Sequence, residues 1–261
     1  MFELHAFAIA SVVLLVIAIL LWIVSLVKND VAIVDSFWSL MILAAGLCFF
    51  FMNSVITERN LLVLLLLCVW AIRLSAYISW RNRGQPEDAR YQQIRENNQP
   101  NFAFKSLYIV FLLQAFLALV VSLPLMSTFA AETEISLLDY FAFTLWFTGL
   151  YFETVGDLQL ARFKSREENR GKVLDTGLWR YTRHPNYFGE FCVWWAFFLF
   201  ALSSGYWWSI ISPVLMSILL LKVSGVSLLE STISERRPGY AGYRRSTSAF
   251  FPWFPKKAMR S

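Results

Sequence analysis

An all-α, multi-pass membrane protein is the fold class this sequence predicts, and three observations lead there. Of its 261 residues, 57% are hydrophobic and only 16% charged, against roughly 25% charged in ordinary soluble domains, and the mean hydropathy is +0.53. The apolar residues are gathered into about seven continuous runs, whereas a transmembrane β-barrel would alternate apolar and polar positions. Finally, Lys and Arg collect between runs: residues 81–105, 158–186 and 231–261 hold 19 of the 23 basic residues but only seven of the 18 acidic ones. Basic loops on one side of a bilayer are what membrane topology produces, so the net charge of +5 speaks for orientation and not for nucleic acid. Disorder would need low hydrophobicity with high net charge, and is excluded.

A spanning helix needs roughly 20 mostly apolar residues, and the runs fall near 6–27, 31–52, 61–80, 106–126, 137–157, 187–203 and 206–230. The first is preceded by Glu3 and not by basic residues, exceeds a signal-peptide core and lacks a small-residue cleavage site, so it reads as a retained helix. The last two meet at Leu202–Tyr206, which leaves room only for a tight helical hairpin. Placing the basic segments in the cytoplasm puts the N-terminus and the loop with Glu132 and Glu134 outside, and the C-terminus inside. No repeat, low-complexity tract or linker divides the chain, which reads as one domain. Short loops without a retention signal are compatible with a bacterial inner membrane. Cys48, Cys68 and Cys192 lie inside apolar runs without paired spacing and read as packing residues.

Charges inside spanning segments are expensive and by default mark function or internal pairing. Here they are Asp35, Arg73, Glu153, Asp157, Glu190, Lys222 and Glu230, and all but Lys222 fall near the cytoplasmic ends of their runs. Each has a plainer reading: a late helix start for Asp35, snorkelling for Arg73 and Lys222, interfacial pairing for Glu153 and Asp157. Together they describe a site opening to the cytoplasm and not a proton path through the midplane.

The densest polar segment is DTGLWRYTRHPNYFGE, residues 175–190. Pro185 suits the first position of a helix, which places Thr182 or His184 at its cap and Asn186, Tyr187 and Glu190 on its first turns. Unpaired N–H groups at a helix start bind phosphate. Arg180, Arg183 and His184 converge on that point, and Arg162, Lys164, Arg166, Arg170 and Lys172 precede it. A phosphorylated ligand at the cytoplasmic face is one reading; a basic loop held by membrane-lipid headgroups is the other. His184 and His5 are the two histidines, too few for a multi-histidine metal site, so no metal is expected. No Rossmann or Walker glycine motif is present.

TGLWRYTRHPNYFGE, with VDSFW near residue 35, RNRGQPEDARY up to residue 91 and the closing PGYAGYRRSTSAFFPWFP, resembles the DUF1295 group of the steroid 5-alpha-reductase-like superfamily over almost the whole chain. The resemblance implies a seven-helix membrane reductase that uses NADPH to reduce a carbon–carbon double bond conjugated to a carbonyl in a lipid. Residues 1–105 would form the substrate side and 106–261 the cofactor-binding part. Asn186 and Glu190 match the family's Asn-x-x-x-Glu near the nicotinamide, Asp157 its cofactor-holding aspartate and Lys164 the basic residue beyond it. The same half implies Glu153, Arg162, Arg180, Arg183, His184, Tyr187, Glu230, Tyr243, Arg244 and Arg245 as cofactor-side residues. Asp35 falls where steroid reductases place a carbonyl-binding glutamate, with Trp38, Trp70 and Arg73 on the substrate side. The partner tyrosine of those enzymes is expected near Trp70, which has no phenol, and Tyr77 is the candidate replacement.

In that reading Asp35, kept protonated by burial, would donate to the enone oxygen with Tyr77 beside it. Two competitors stand: a methyltransferase similar to the isoprenylcysteine carboxyl methyltransferases, which share an R-H-P-x-Y-x-G motif and bind S-adenosylmethionine, and a non-enzymatic transport or assembly protein. Asn186, Glu190 and the many arginines favour the reductase.

Overall fold

The computed structural model describes residues 3–53, 55–223 and 239–256. It is all-α, and among the described residues no strand forms; Thr182 and Ser248 make an isolated bridge. The chain divides into two compact units, Met1–Ile135 with Phe200–Ser212, and Ser136–Leu199 with Pro213–Ser261.

In the first unit, α1 (Leu4–Lys28) is apolar on every side yet buries one stripe, Ala6, Ala10, Leu14, Ala18, Leu21 and Ser25. The rest of its surface exposes Val12, Leu15, Val16 and Leu20, the pattern of a helix packed on one side and facing lipid on the other. Asn29 stops it in the left-handed conformation at φ 52°, which asparagine tolerates better than bulkier residues. The Asp30 carboxylate then accepts the Ala32 N–H at 2.9 Å and turns the chain into α2 (Ile33–Phe51).

α2 and α3 (Glu58–Asn82) are locked by Ser39 Oγ donating to the Ala71 carbonyl at 2.9 Å and Ser75 Oγ to that of Ser36 at 2.7 Å. In α3 the Thr57 side chain caps the Asn60 N–H. Two buried polar residues follow in its first turn. Arg59 donates to the Phe200 carbonyl and, at 2.6 Å, to Ser203 Oγ, placing a cation against the carbonyl end of a helix. Asn60 donates to the Phe129 carbonyl at 3.3 Å. A short polar helix, α4 (Ala89–Asn97), follows, with Asp88 accepting the Arg90 N–H at its start. The apolar stretch Phe102–Phe129 comprises α5 (Phe102–Ser106), a π-helical turn over Leu107–Leu112, α6 (Leu113–Val121) and α7 (Leu123–Phe129).

In the second unit, α8 (Leu137–Lys164) opens with a capping box: the Ser136 N–H and Oγ both donate to Asp139 Oδ2 at 2.8 Å, which accounts for the buried Asp139. α9 (Pro185–Ser203) begins at Pro185 as its sequence predicts. α8 and α9 approach closely: a Cβ on Gly189 would meet the Glu153 backbone and lie 2.5 Å from the Gly149 carbonyl. The end of α9 belongs to the first unit, where the chain turns at Gly205, φ 86°, into a 3-10 turn (Trp207–Ile210); α10 (Ile211–Ile218) returns it to the second unit, followed by a π turn ending at Val223. A last short helix is α11 (Tyr240–Ser246).

Among the described residues, four helical stretches are long and apolar enough to cross a membrane: Leu4–Lys28, Ile33–Phe51, Glu58–Asn82 and Phe102–Phe129. These coincide with the first four runs read from the sequence. α8 and α9 cover the fifth and sixth but carry more polar side chains, Glu153 and Asp157 on α8 and Asn186 and Glu190 on α9. The seventh is described only to residue 223, so Glu230 lies outside the described residues.

Candidate functional site

Each unit gathers its own polar cluster. In the first, Asp35 sits in the opening turn of α2, where a helix start favours a carboxylate. Its Oδ1 accepts the Tyr91 phenol at 2.6 Å and its Oδ2 accepts Arg90 Nη2 at 3.0 Å. Arg90 also donates from Nε to Asp88 Oδ1 at 3.0 Å. Next to this cluster Glu87 accepts the Val31 N–H at 2.8 Å and pairs with Arg95 at the same distance, and Arg95 lies 4.7 Å over the Phe102 ring. The α4 segment is thus fastened to the start of α2 by Arg90 and Tyr91 on Asp35, and to the α1–α2 turn by the Glu87 bond to the Val31 N–H and the Arg95 bond to the Asn29 carbonyl.

Burial, reinforced by the Asp35 charge and hydrogen bond, pushes the Tyr91 phenol well above the ordinary tyrosine range. Burial alone would lower the Arg90 value, but Asp88 and Asp35 outweigh it and hold the guanidinium charged. Burial likewise opposes the Asp88 carboxylate, and the Arg90 hydrogen bonds outweigh it and hold Asp88 below the ordinary range.

Three positions along α2 from Asp35, the indole N–H of Trp38 is buried and has no hydrogen-bond acceptor among the described residues. Arg90 Nη1 also has no acceptor among them. Residues three apart share a helix face, so Asp35 and Trp38 mark one side of α2. Trp70 is fully buried in α3, and Arg73 is half-buried one turn further on. Tyr77 lies beside Trp80 and Arg81.

The second cluster is built on the close crossing of α8 and α9. Glu153 and Asp157, one turn apart, are only 2% and 5% exposed, and Asn186 Nδ2 donates to Asp157 Oδ1 at 3.1 Å. Without side chains at Gly149, Gly156 and Gly189 the helices come near enough for this short amide to reach across. Glu190 lies one turn beyond Asn186, half-buried. The rings of His184 and Tyr187 stack in parallel at 5.7 Å, and the Phe188 N–H bonds to the His184 carbonyl at 3.0 Å, making His184 the helix cap.

A C-terminal strap, residues 243–256, holds the segment before α9. Thr182 Oγ1 donates to the Phe250 carbonyl at 2.7 Å, and the Arg183 N–H to that of Ser248 at 2.9 Å. Arg183 Nη1 donates to the carbonyls of Arg244 at 2.7 Å and Thr247 at 3.1 Å. Tyr243 donates its phenol to the Trp179 carbonyl.

The structure therefore brings Glu153, Asp157, Asn186 and Glu190 onto two adjoining helices, with His184 and Tyr187 at the start of α9. Arg183 and Tyr243, expected at a cofactor, are buried and bonded to backbone carbonyls of the strap and the 177–180 turn. Arg162, Lys164, Arg180, Arg244 and Arg245 are exposed. Sequence reading missed Arg90 and Tyr91 as partners of Asp35. The signal was the compact EDARY stretch, two acids followed by two donors, but nothing local ties it to a residue 55 positions earlier.

A family model described as Protein of unknown function (DUF1295) matches residues 21–247. Uncharacterized protein C594.04c of Schizosaccharomyces pombe (strain 972 / ATCC 24843) is 26% identical over 265 residues, covering 89% of this chain and 75% of that protein. No solved structure matches. The matched span contains both polar clusters, and the chain belongs to the DUF1295 family, which is related to the steroid 5-alpha-reductase-like proteins.

Proposed function

We propose that this protein is a multi-pass membrane reductase that uses NADPH to reduce a carbon–carbon double bond conjugated to a carbonyl in a steroid- or isoprenoid-like lipid. In this reading the chain makes seven spans, with the N-terminus outside and the C-terminus in the cytoplasm, in the inner membrane if the source is bacterial. The observation that carries it is the buried carboxylate–amide cluster, Asn186 to Asp157 at 3.1 Å with Glu153 one turn away. Buried carboxylates at the end of an apolar helix by default mark function or internal pairing.

The side chains present fit a nicotinamide dinucleotide. Asn186, Glu153, Asp157 and Glu190 offer the acceptors and amide that a carboxamide and ribose hydroxyls require, and the exposed Arg162 and Lys164 offer cations for phosphate. When bound, that group supplies the hydride.

The first cluster serves the substrate carbonyl. Negative charge develops on the carbonyl oxygen during reduction, and fixed donors aimed there lower the barrier. Asp35 accepts from both Tyr91 and Arg90, so in this arrangement it orients donors and is not itself the donor. Arg90 Nη1 and the Trp38 indole N–H are the hydrogens open to a substrate acceptor. Tyr91, with its raised value, keeps its proton and fixes Asp35. The apolar helices around the cluster suit a lipid.

Titrating detergent-solubilised protein with NADPH, NADH and S-adenosylmethionine tests the reading. NADPH should bind and lose about tenfold or more affinity in Asn186→Ala, since a hydrogen bond in a site that excludes water is worth ~1.5–3 kcal/mol when a charged partner is involved. Binding of S-adenosylmethionine without a dinucleotide would instead make this a methyltransferase.

A further inference from the structure

The C-terminal strap leaves a large aromatic face uncovered. Trp253 and Phe254 are 72% and 78% exposed, Phe251 is exposed beside them, and Tyr181 extends the face through an edge-on contact with Phe254 at 6.2 Å. These rings do not belong to a loose tail. The Trp253 N–H donates to the Tyr181 carbonyl and the Lys256 N–H to that of Ser246, both at 2.9 Å. Phe250 and Phe251 pack against Phe188 and Phe191 on α9 at 5.5–6.1 Å.

The main chain here also presents few free donors. Between 252 and 256, Pro252 and Pro255 have no N–H, and those of Trp253 and Lys256 are bonded within the protein. Arg180, Arg244, Arg245 and Lys256 are exposed on the same strap and turn. Large exposed aromatic patches on proteins are interaction sites. Amphipathic rings, few free main-chain N–H groups and a rim of cations together match the headgroup region of an anionic leaflet, where tryptophan is favoured and each nearby cation adds attraction.

We propose that the strap is an interfacial membrane anchor. Phe251, Trp253 and Phe254 enter the headgroup region of the leaflet at the end of α9 where that helix begins, and Arg180, Arg245 and Lys256 engage anionic lipid headgroups. Because Thr182 and Arg183 are hydrogen bonded to the strap, the anchor fixes the depth at which His184 and Asn186 stand relative to the bilayer surface. The proposal rests on the membrane placement given above and not on the reductase chemistry.

The test places an environment-sensitive NBD probe at Phe254→Cys, in a background with Cys48→Ala, Cys68→Ala and Cys192→Ala, reconstituted at one copy per nanodisc containing phosphatidylglycerol. The anchor should give blue-shifted emission, quenched about twofold or more by headgroup nitroxides compared with chain-end nitroxides, and weakened in pure phosphatidylcholine or in Arg245→Gln/Lys256→Gln. Water-like emission without lipid quenching would overturn it. So would a blue shift that appears only with two copies per disc, which would make the face a contact between copies. Should the cysteine-free protein not fold, quenching of native tryptophan by brominated lipids in the unmodified protein against Trp253→Phe decides the same question: equal quenching overturns the proposal. No readout depends on nucleotide or turnover, so failure of the anchor and failure of the reductase reading are separable.

Discussion

The two units satisfy their buried polar residues in opposite ways. In the first, Asp35 is met by Arg90 and Tyr91 from a short helix distant in sequence, so charge is answered by charge across 55 positions. In the second, Asp157 is met by a neutral amide across a crossing of glycines, and the arginine nearby, Arg183, is spent on backbone carbonyls. Ion pairs at a half-exposed surface tolerate change, because water and neighbouring groups can replace a lost partner. Helices in backbone contact tolerate almost none, since interiors are close-packed. The first cluster is therefore adjustable and the second rigid, as a variable lipid substrate and an invariant nucleotide would respectively require.

The sharpest way to break this contrast is at the glycine crossing. Gly189→Ala pushes a Cβ into backbone of α8 and should cost about 3 kcal/mol, the upper part of the overpacking range, because backbone atoms cannot rotate away. Gly84→Ala, whose added Cβ meets nothing within 4 Å but whose φ is +71°, should cost only about 1–2 kcal/mol from the left-handed backbone. Thermal midpoints in one detergent give both values, and equal losses would remove the rigidity assigned to the second unit.

Arg183→Ala comes next. It strands the Arg244 and Thr247 carbonyls and should cost about 2 kcal/mol, while tryptic cleavage after Arg244 and Arg245 accelerates as the strap loosens. Unchanged cleavage would mean that the strap is held by its other bonds. Tyr91→Phe, which removes the phenol bonded to the Asp35 carboxylate, should cost about 1.5 kcal/mol, the low end for a bond to a charged group, and raise amide exchange in α4 without touching the strap.

The smallest effect is of pH. Asp88 has a depressed value in the folded protein, so its pairing with Arg90 is complete above the ordinary aspartate value of about 4 and is lost as pH falls through the lower folded value. The partial exposure of both side chains keeps this under about 1 kcal/mol. Amide exchange in α4 should therefore rise below about pH 4 in the native protein and lose that rise in Asp88→Asn. A rise that persists in the variant would assign the acid response to another carboxylate.

Much of the second cluster was legible because its parts are contiguous: RHPNYFGE places a proline-started helix with His184, Asn186 and Glu190 at fixed spacing, and Glu153 and Asp157 stand out as charges in an apolar run. The first four helical stretches of membrane-crossing length were equally plain, being long runs that only lipid or a protein core accepts. The use of Arg183 was not, since a guanidinium before a helix start looks the same whether it faces phosphate or carbonyls contributed by a strap some 60 residues later. Nor was the partner of Asp35. The phenol that Asp35 accepts is that of Tyr91 on α4, brought by the turn geometry of Asn29 and Asp30 and the Glu87 contact to Val31. Tertiary hydrogen bonds of that kind leave no periodic trace in sequence.

The division of labour itself is tested most directly by measuring NADPH affinity and single-turnover NADPH oxidation, with a panel of enone lipids, on the same three proteins: native, Asn186→Ala and Arg90→Gln. Asn186→Ala should lose nucleotide affinity, whereas Arg90→Gln should bind NADPH as the native protein does and turn over about 100-fold more slowly, the usual loss for removing one donor to a developing oxyanion. Loss of NADPH affinity in Arg90→Gln, or full turnover without it, would contradict the assignment of the first cluster to the substrate carbonyl.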